Sequence, residues 1–300
     1  MPILLITVMF IGPLALGLLG VRRTATAGEH VGTNGGYALG ATWSLVINSA
    51  VLYALAYNLT FFLQELFLVI PKAVYGLQPI LYHNNHRWLG SDPIENLLQG
   101  FGTLAILISG LVFRVVMSRQ KDSPGLLKLF SIWMVYQGLS QSLHQVATSV
   151  LHPNHDVGDA LNYLNVGVTL RYVLAIVALG SLVFVGLSLT RPLLDLAPSS
   201  LHVETRGART RFLAQIGTLS ALIGTVLIIP FRIPPIAQIE GPAIVFLMPL
   251  FWTSANAWRV KDAHPVATTA NQKVNWIPVV ALIALLAIFR LLLAPGIAFF

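Results

Sequence analysis

The sequence predicts an all-α protein, a polytopic bundle of about eight membrane-spanning helices. Three observations carry that prediction. Hydrophobic residues make up 56% of the 300 and charged residues only 10%, against about 25% charged in an ordinary soluble domain. The hydrophobic residues fall in runs of roughly 20, the length that crosses about 30 Å of hydrocarbon as a helix. Lys and Arg, finally, alternate in number from one connection to the next, as they do in chains that weave through a bilayer.

The first segment, 2–20, resembles a signal peptide, with Ala25-Thr26-Ala27 as a candidate cleavage site. It has no basic start, however, and Arg22 and Arg23 follow the apolar run, so it reads as an uncleaved first helix. The second, 38–70, is apolar except at Tyr57, Asn58, Gln64 and Glu65. The third, 97–118, has Asn96, Gln99 and Thr103 on one face near its start. The fourth, 125–151, carries a stripe of Gln137, Gln141, His144, Gln145, Thr148 and His152, which fall on one side of a helix. The fifth, 163–190, contains Arg171, with Asn162, Asn165 and Thr169 near its entry.

The sixth and seventh, 212–230 and 241–258, are joined by a turn containing Arg232-Ile-Pro-Pro and then Glu240 and Gly241. The eighth is 275–297. Gly36-x-x-x-Gly40 permits a close helix contact. A spanning segment must satisfy its own backbone hydrogen bonds, and these runs are too long for barrel strands, so they are helices. No connection is long enough to hold a core of its own, so 1–300 reads as one integral membrane domain.

Thirteen Lys and Arg fall on the 1–2, 3–4, 5–6 and 7–8 connections. Only Lys72, Arg87, Arg232 and Arg290 fall on the opposite side. The positive-inside rule then places both termini outside. The formal charge of +7 is an orientation signal and a contact with anionic lipid, so the bilayer is the expected partner and nucleic acid is not. The expected location is the plasma (inner) membrane, with the polar groups toward the periplasm or exterior. Cysteine is absent, which excludes disulfides, thiolate nucleophiles and sulfur-ligated metals. A metal would have to use imidazole, carboxylate or carbonyl ligands.

Polar groups in hydrocarbon need partners, so the fourth segment's stripe should face the bundle interior or a wet cavity. It continues into His152-Pro153-Asn154-His155-Asp156, and a second H-x-x-H lies in the 2–3 connection as His83-Asn84-Asn85-His86. His83, His86, His152 and His155 are candidate ligands for zinc, iron or manganese, with Asp156 and Asp159 as further donors. The alternatives are polar loop residues, with Asp156 and Asp159 capping the fifth helix, and direct contact with substrate. Glu65 lies about 8 Å of helix rise from the end of its segment. Buried there, it is a metal ligand, a general base, a proton carrier or the salt-bridge partner of Arg171. Asn58, Gln137, Gln141, His144, Gln145 and Arg171 are the candidate cavity lining.

Phe61-Phe62-Leu63-Gln64-Glu65-Leu66-Phe67-Leu68 resembles the H-E-x-x-H helix of site-2-protease-like intramembrane zinc metalloproteases. The resemblance implies that Glu65 matches the catalytic base and that Asp156 or Asp159 stands for the acid of a later helix. Gln64 and Leu68 occupy the places of both motif histidines, so protease activity is not carried over. Three functions follow from the residues. The first is a metal-dependent membrane hydrolase with Glu65 and Asp156 as catalytic groups. The second is a transporter with a Glu65/His144 cavity. The third is a non-catalytic, ligand-binding subunit with membrane-protein partners.

Overall fold

A computed structural model describes residues 2–26, 39–120, 125–233, 244–260 and 273–300. The helices are α1 (2–26, with a π-helical stretch at Thr7–Ile11), α2 (Leu39–Val74), α3 (Ile94–Arg119), α4 (Leu126–Thr148) and α5 (Asp156–Tyr163). They continue with α6 (Val168–Leu194), α7 (Arg206–Arg232), α8 (Ile244–Ala255) and α9 (Trp276–Leu293). Three short strands, β1 (Pro79–Leu81), β2 (His86–Trp88) and β3 (Ile297–Ala298), form an antiparallel sheet in the order β2-β1-β3. The sheet is the one departure from an all-α reading. Such short strands, one of them two residues from the end of the chain, leave no periodic signal.

The expected segments match these helices closely, with one correction. The segment expected at 163–190 is α6, and a separate short helix not expected there, α5, precedes it and closes before α6 begins. Val166 N–H donates to Leu161 C=O at 3.0 Å and Asn165 adopts φ 51°, the left-handed residue of a helix-ending motif. Asp156 and Asp159 consequently lie in the first turn of α5 and not at the start of the long helix. The candidate cleavage site ends at Ala27, the Gly36-x-x-x-Gly40 pattern begins at Gly36, and the turn after Ile233 includes Glu240 and Gly241; these fall wholly or partly outside the described residues.

Among the described residues six helices are long and apolar enough to cross a membrane: Ile3–Arg23, Trp43–Val74, Ile94–Arg119, Val168–Leu194, Arg206–Arg232 and Trp276–Leu293. Their outward faces expose Leu14, Leu18, Leu111, Val115, Val177, Phe184, Val226, Ile283 and Leu291, the surface a bilayer would cover. α4, like α8, is not among the six. It is the central helix, packed by α2, α3 and α6, and Leu129, Ile132, Trp133, Val135 and Tyr136 are buried along it. Shielded from lipid, it can carry the polar stripe that keeps it below the hydropathy of its neighbours.

Small residues let α3 and α4 touch. A Cβ on Gly138 would stand 2.7 Å from Gly110 Cα and from Ile106 O. One end of the bundle gathers the C-terminal turns of α2, α4, α7 and α9. Asn84 donates to Arg232 C=O there, Phe289 packs on Phe62 and Phe231, and β3 pairs with β1 through Leu81 and Ile297. The other end holds the pair of buried Lys128 with half-buried Asp195 (3.5 Å) and the bond from Asn48 to Lys273 C=O (3.0 Å).

Candidate functional site

At the first end, α2 presents Phe61, Gln64, Glu65 and Lys72, spaced three, four and seven apart and so on neighbouring faces of one helix. Gly76, with φ 75°, ends the helix, and Leu77 N–H reaches back to Lys72 C=O at 3.0 Å. The chain then turns into the β1–β2 hairpin. His86 stands opposite Leu81, so both point to the face that packs on α2.

This register brings His86 between two buried charges. Its Nδ1 lies 2.8 Å from Glu65 Oε2 and its Nε2 lies 2.8 Å from Lys72 Nζ. The imidazole thus bridges the Glu65 carboxylate and the Lys72 amine. Lys72 also donates to Gln99 Oε1 at 2.9 Å and sits 4.0 Å from the centre of the Trp88 ring. Trp88 in turn stacks on His86 and donates to Glu95 at 2.8 Å.

Next to this charged cluster runs a chain of amides. Thr103 on α3 donates to Gln145 at 2.6 Å, Gln145 donates to Gln64 at 3.0 Å, and Gln64 donates to Asp156 Oδ2 at 3.1 Å. Each amide accepts on its oxygen and donates on its nitrogen, so the chain has one direction and ends on the carboxylate. Gly102 permits it, because a Cβ there would meet Gln64 and Leu68 within 3 Å. Burial, and then the nearby Glu65 charge, push the Asp156 carboxyl up to about 6, opposed by His86, Lys72 and Gln64.

Asp156, Gln64, Gln141, His144, Gln145, Thr148, His152, His155 and Arg232 line one cavity of about 330 Å³, with Tyr57 and Phe61 on its apolar side. Beneath it Gln141 donates to Gln137 at 2.9 Å. Deeper still, Tyr53, Trp133 and Tyr136 close the core edge to face. Ring centres lie 5.0 Å apart for Tyr53–Trp133 and 5.6 Å for Trp133–Tyr136, and all three side chains are buried.

Several expected site residues therefore meet. Gln141, His144, Gln145 and Asp156 line the cavity, and Gln137 forms its floor. Asn58 is buried but donates to Ala54 C=O in its own helix, outside the lining. Glu65 lies behind the wall, in the His86 cluster. The expected Glu65–Arg171 pair is not formed. Arg171 donates to Val166 C=O and Asn162 Oδ1, both at the α5–α6 turn, and does not line the cavity.

The four histidines do not converge. His86 is held by Glu65 and Lys72. His83 is buried against Phe289 on the other side of the hairpin turn. His152 and His155 face each other at the cavity rim, ring centres 5.2 Å apart. Among the described residues no three His, Asp or Glu side chains are grouped as a metal would require. Sequence reasoning missed Lys72 and Arg232 as site residues. Lys72 is seven residues beyond Glu65, a same-face spacing that was available; Arg232 gave no such signal. Comparison of the chain with protein-family models, with characterised proteins and with solved structures finds no match.

Proposed function

We propose that this is a multi-pass membrane protein that binds a small polar ligand in a cavity open to one side of the bilayer. In this reading the chain crosses eight times, α4 and α8 included, with both termini and the cavity on the exterior of the plasma membrane. The observation that carries it is the cavity of about 330 Å³, into which Gln64, Gln141, His144, Gln145 and Asp156 converge beside an apolar flank, above the Tyr53–Trp133–Tyr136 cluster. Converging hydrogen-bonding groups with an apolar flank are the usual composition of a small-molecule site. The basic excess on the far connections supports the orientation.

A transport path would need polar groups at both depths, and the aromatic floor argues for binding instead. A metal-dependent hydrolase would need its imidazoles together. Their division between the hairpin and the cavity rim leaves that reading without a ligand set.

Sided labelling tests the proposal. The chain has no cysteine, so Thr148→Cys creates a unique thiol on the cavity wall and Lys273→Cys one at the opposite end. A membrane-impermeant maleimide added outside intact cells should modify Thr148→Cys and spare Lys273→Cys. The reverse pattern would invert the orientation. Reaction of Thr148→Cys from both faces would replace binding with transport.

A further inference from the structure

The rim of the cavity nearest the hairpin holds a positive charge that no ion pair compensates among the described residues. Arg232 closes α7, lines the cavity, and lays its guanidinium over Phe61, 4.3 Å from the ring centre. Its Nη1 is buried and has no hydrogen-bond partner among the described residues. Behind it stands His83, 1% exposed, whose two ring nitrogens also lack partners. Burial and then the charges of Arg290 and Arg232 push the His83 imidazole below its ordinary range, so the cluster's charge sits on the arginines. Arg290 spends a donor on Pro230 C=O in the last turn of α7. Neither arginine pairs with a carboxylate among the described residues.

A buried charged donor without a partner costs more than a neutral one, and a guanidinium is the group best shaped to clamp an oxyanion through two parallel bonds. The position is held by the fold. Asn84 of the hairpin turn donates to Arg232 C=O, and Phe289 of α9 packs on both Phe231 and His83. Three separate parts of the chain therefore converge to keep two arginines at this end with no carboxylate paired to them among the described residues.

We propose that Arg232 binds a phosphate group at this end of the cavity. The proposal rests on the cavity reading above and names the chemistry of its ligand. The phosphate comes either from a lipid headgroup, since the rim lies at the end of the bundle, or from a soluble phosphate that enters from the aqueous side. The glutamines and histidines of the α4 stripe then hold the remainder of the ligand.

The test uses full-length Thr148→Cys protein in a phosphate-free maltoside detergent, with the maleimide rate and the thermal unfolding midpoint read in parallel. The probes are inorganic phosphate, phosphatidylglycerol, and diacylglycerol as the phosphate-free control. At ten times the half-saturating concentration, a bound phosphate should slow labelling roughly tenfold and raise the midpoint. Arg232→Gln should lose both effects, each read against that variant's own rate and midpoint without probe. If that variant does not fold, Arg232→Lys should fold and bind more weakly. An effect from inorganic phosphate identifies a soluble ligand, and an effect from phosphatidylglycerol alone identifies a lipid. No effect of either probe on labelling or midpoint overturns the phosphate site while normal basal labelling leaves the cavity standing. A midpoint shift that survives Arg232→Gln also overturns it, because the phosphate then binds elsewhere. Absent basal labelling removes the cavity reading, and the midpoint still reports on phosphate.

Discussion

His83 and His86 sit in a hairpin whose bonds reach across the molecule; His152 and His155 sit in a turn whose backbone bonds are local. In the hairpin, His86 is tied to Glu65 and Lys72, 21 and 14 residues away, and Asn84 to Arg232, 148 residues away. In the second loop His155 N–H donates to His152 C=O, Asp159 N–H to His155 C=O, and Asn162 to Pro153 C=O, only nine residues off. The first pair is buried or nearly so, and the second is exposed at the rim. The same H-x-x-H spacing has become a staple in one place and a cavity rim in the other. Spacing fixes which side chains are neighbours in sequence; the surrounding elements decide what those side chains meet.

The largest effect expected from this contrast is on stability. His86→Ala leaves Glu65 and Lys72 as separated buried charges and should cost about 3–5 kcal/mol. His152→Ala and His155→Ala should stay within about 0.5 kcal/mol of the parent. Unfolding in mixed detergent micelles, followed by circular dichroism, measures all three, and equal losses would break the comparison. Replacing the whole cluster by Glu65→Leu, Lys72→Met and His86→Leu together should recover most of the loss. A buried charge is costly chiefly when its partner is missing.

The second effect is a pH dependence at the junction of the two regions. Asp156 follows His155 and faces Gln64, and its carboxyl rises from the ordinary 3.8 to about 6 in the folded chain. The folded state therefore holds this proton more tightly than the unfolded state. The resulting stability is fully present below pH 3.8 and is lost as pH rises toward about 6. Asp156→Asn should flatten the unfolding midpoint over that window. An unchanged slope in the variant would assign the proton to another group.

The legible and illegible parts of the molecule divide along the same line. The α4 stripe was readable because Gln141, His144, Gln145 and Thr148 share a face by helical period alone, and a polar face in an apolar bundle has to meet something wet. Among the described residues, six helices long and apolar enough to cross a membrane were readable from length and composition. The Glu65–His86–Lys72 bridge was not, because it depends on how a four-residue hairpin turn sets the register Leu81↔His86. Arg232 was not either, since its place in the cavity follows from the packing of α7 against α2. Arg171 was misread for a related reason: a charge inside an apolar segment invites a distant partner, while the chain had already turned to offer Val166 C=O nearby.

A third, smaller effect tests how tightly the local loop is drawn. A Cβ on Gly158 would fall 2.6 Å from His152 O and from the Pro153 carbonyl, both backbone atoms with no flexible end to give way. Gly158→Ala should cost about 1–3 kcal/mol. The thiol of Thr148→Cys in the same background should label at a changed rate, because the displaced 152–153 backbone borders the cavity. An unchanged rate with unchanged stability would mean that the loop yields freely, and the contrast with the hairpin would sharpen further.

The smallest effect is at Arg171. Its two bonds, to Val166 C=O at 2.8 Å and Asn162 Oδ1 at 2.7 Å, close the α5–α6 turn where Asn165 holds a left-handed conformation. Both partners are close in sequence, and the side chain is partly open to its surroundings. Arg171→Ala should therefore cost about 1 kcal/mol, the worth of ordinary hydrogen bonds exchanged for solvent, and leave the cavity labelling rate alone. Had Arg171 been the counter-ion of Glu65, its loss would have matched that of His86. The ratio of the two losses, measured in one detergent, therefore separates a bond within one turn from a bond across the bundle.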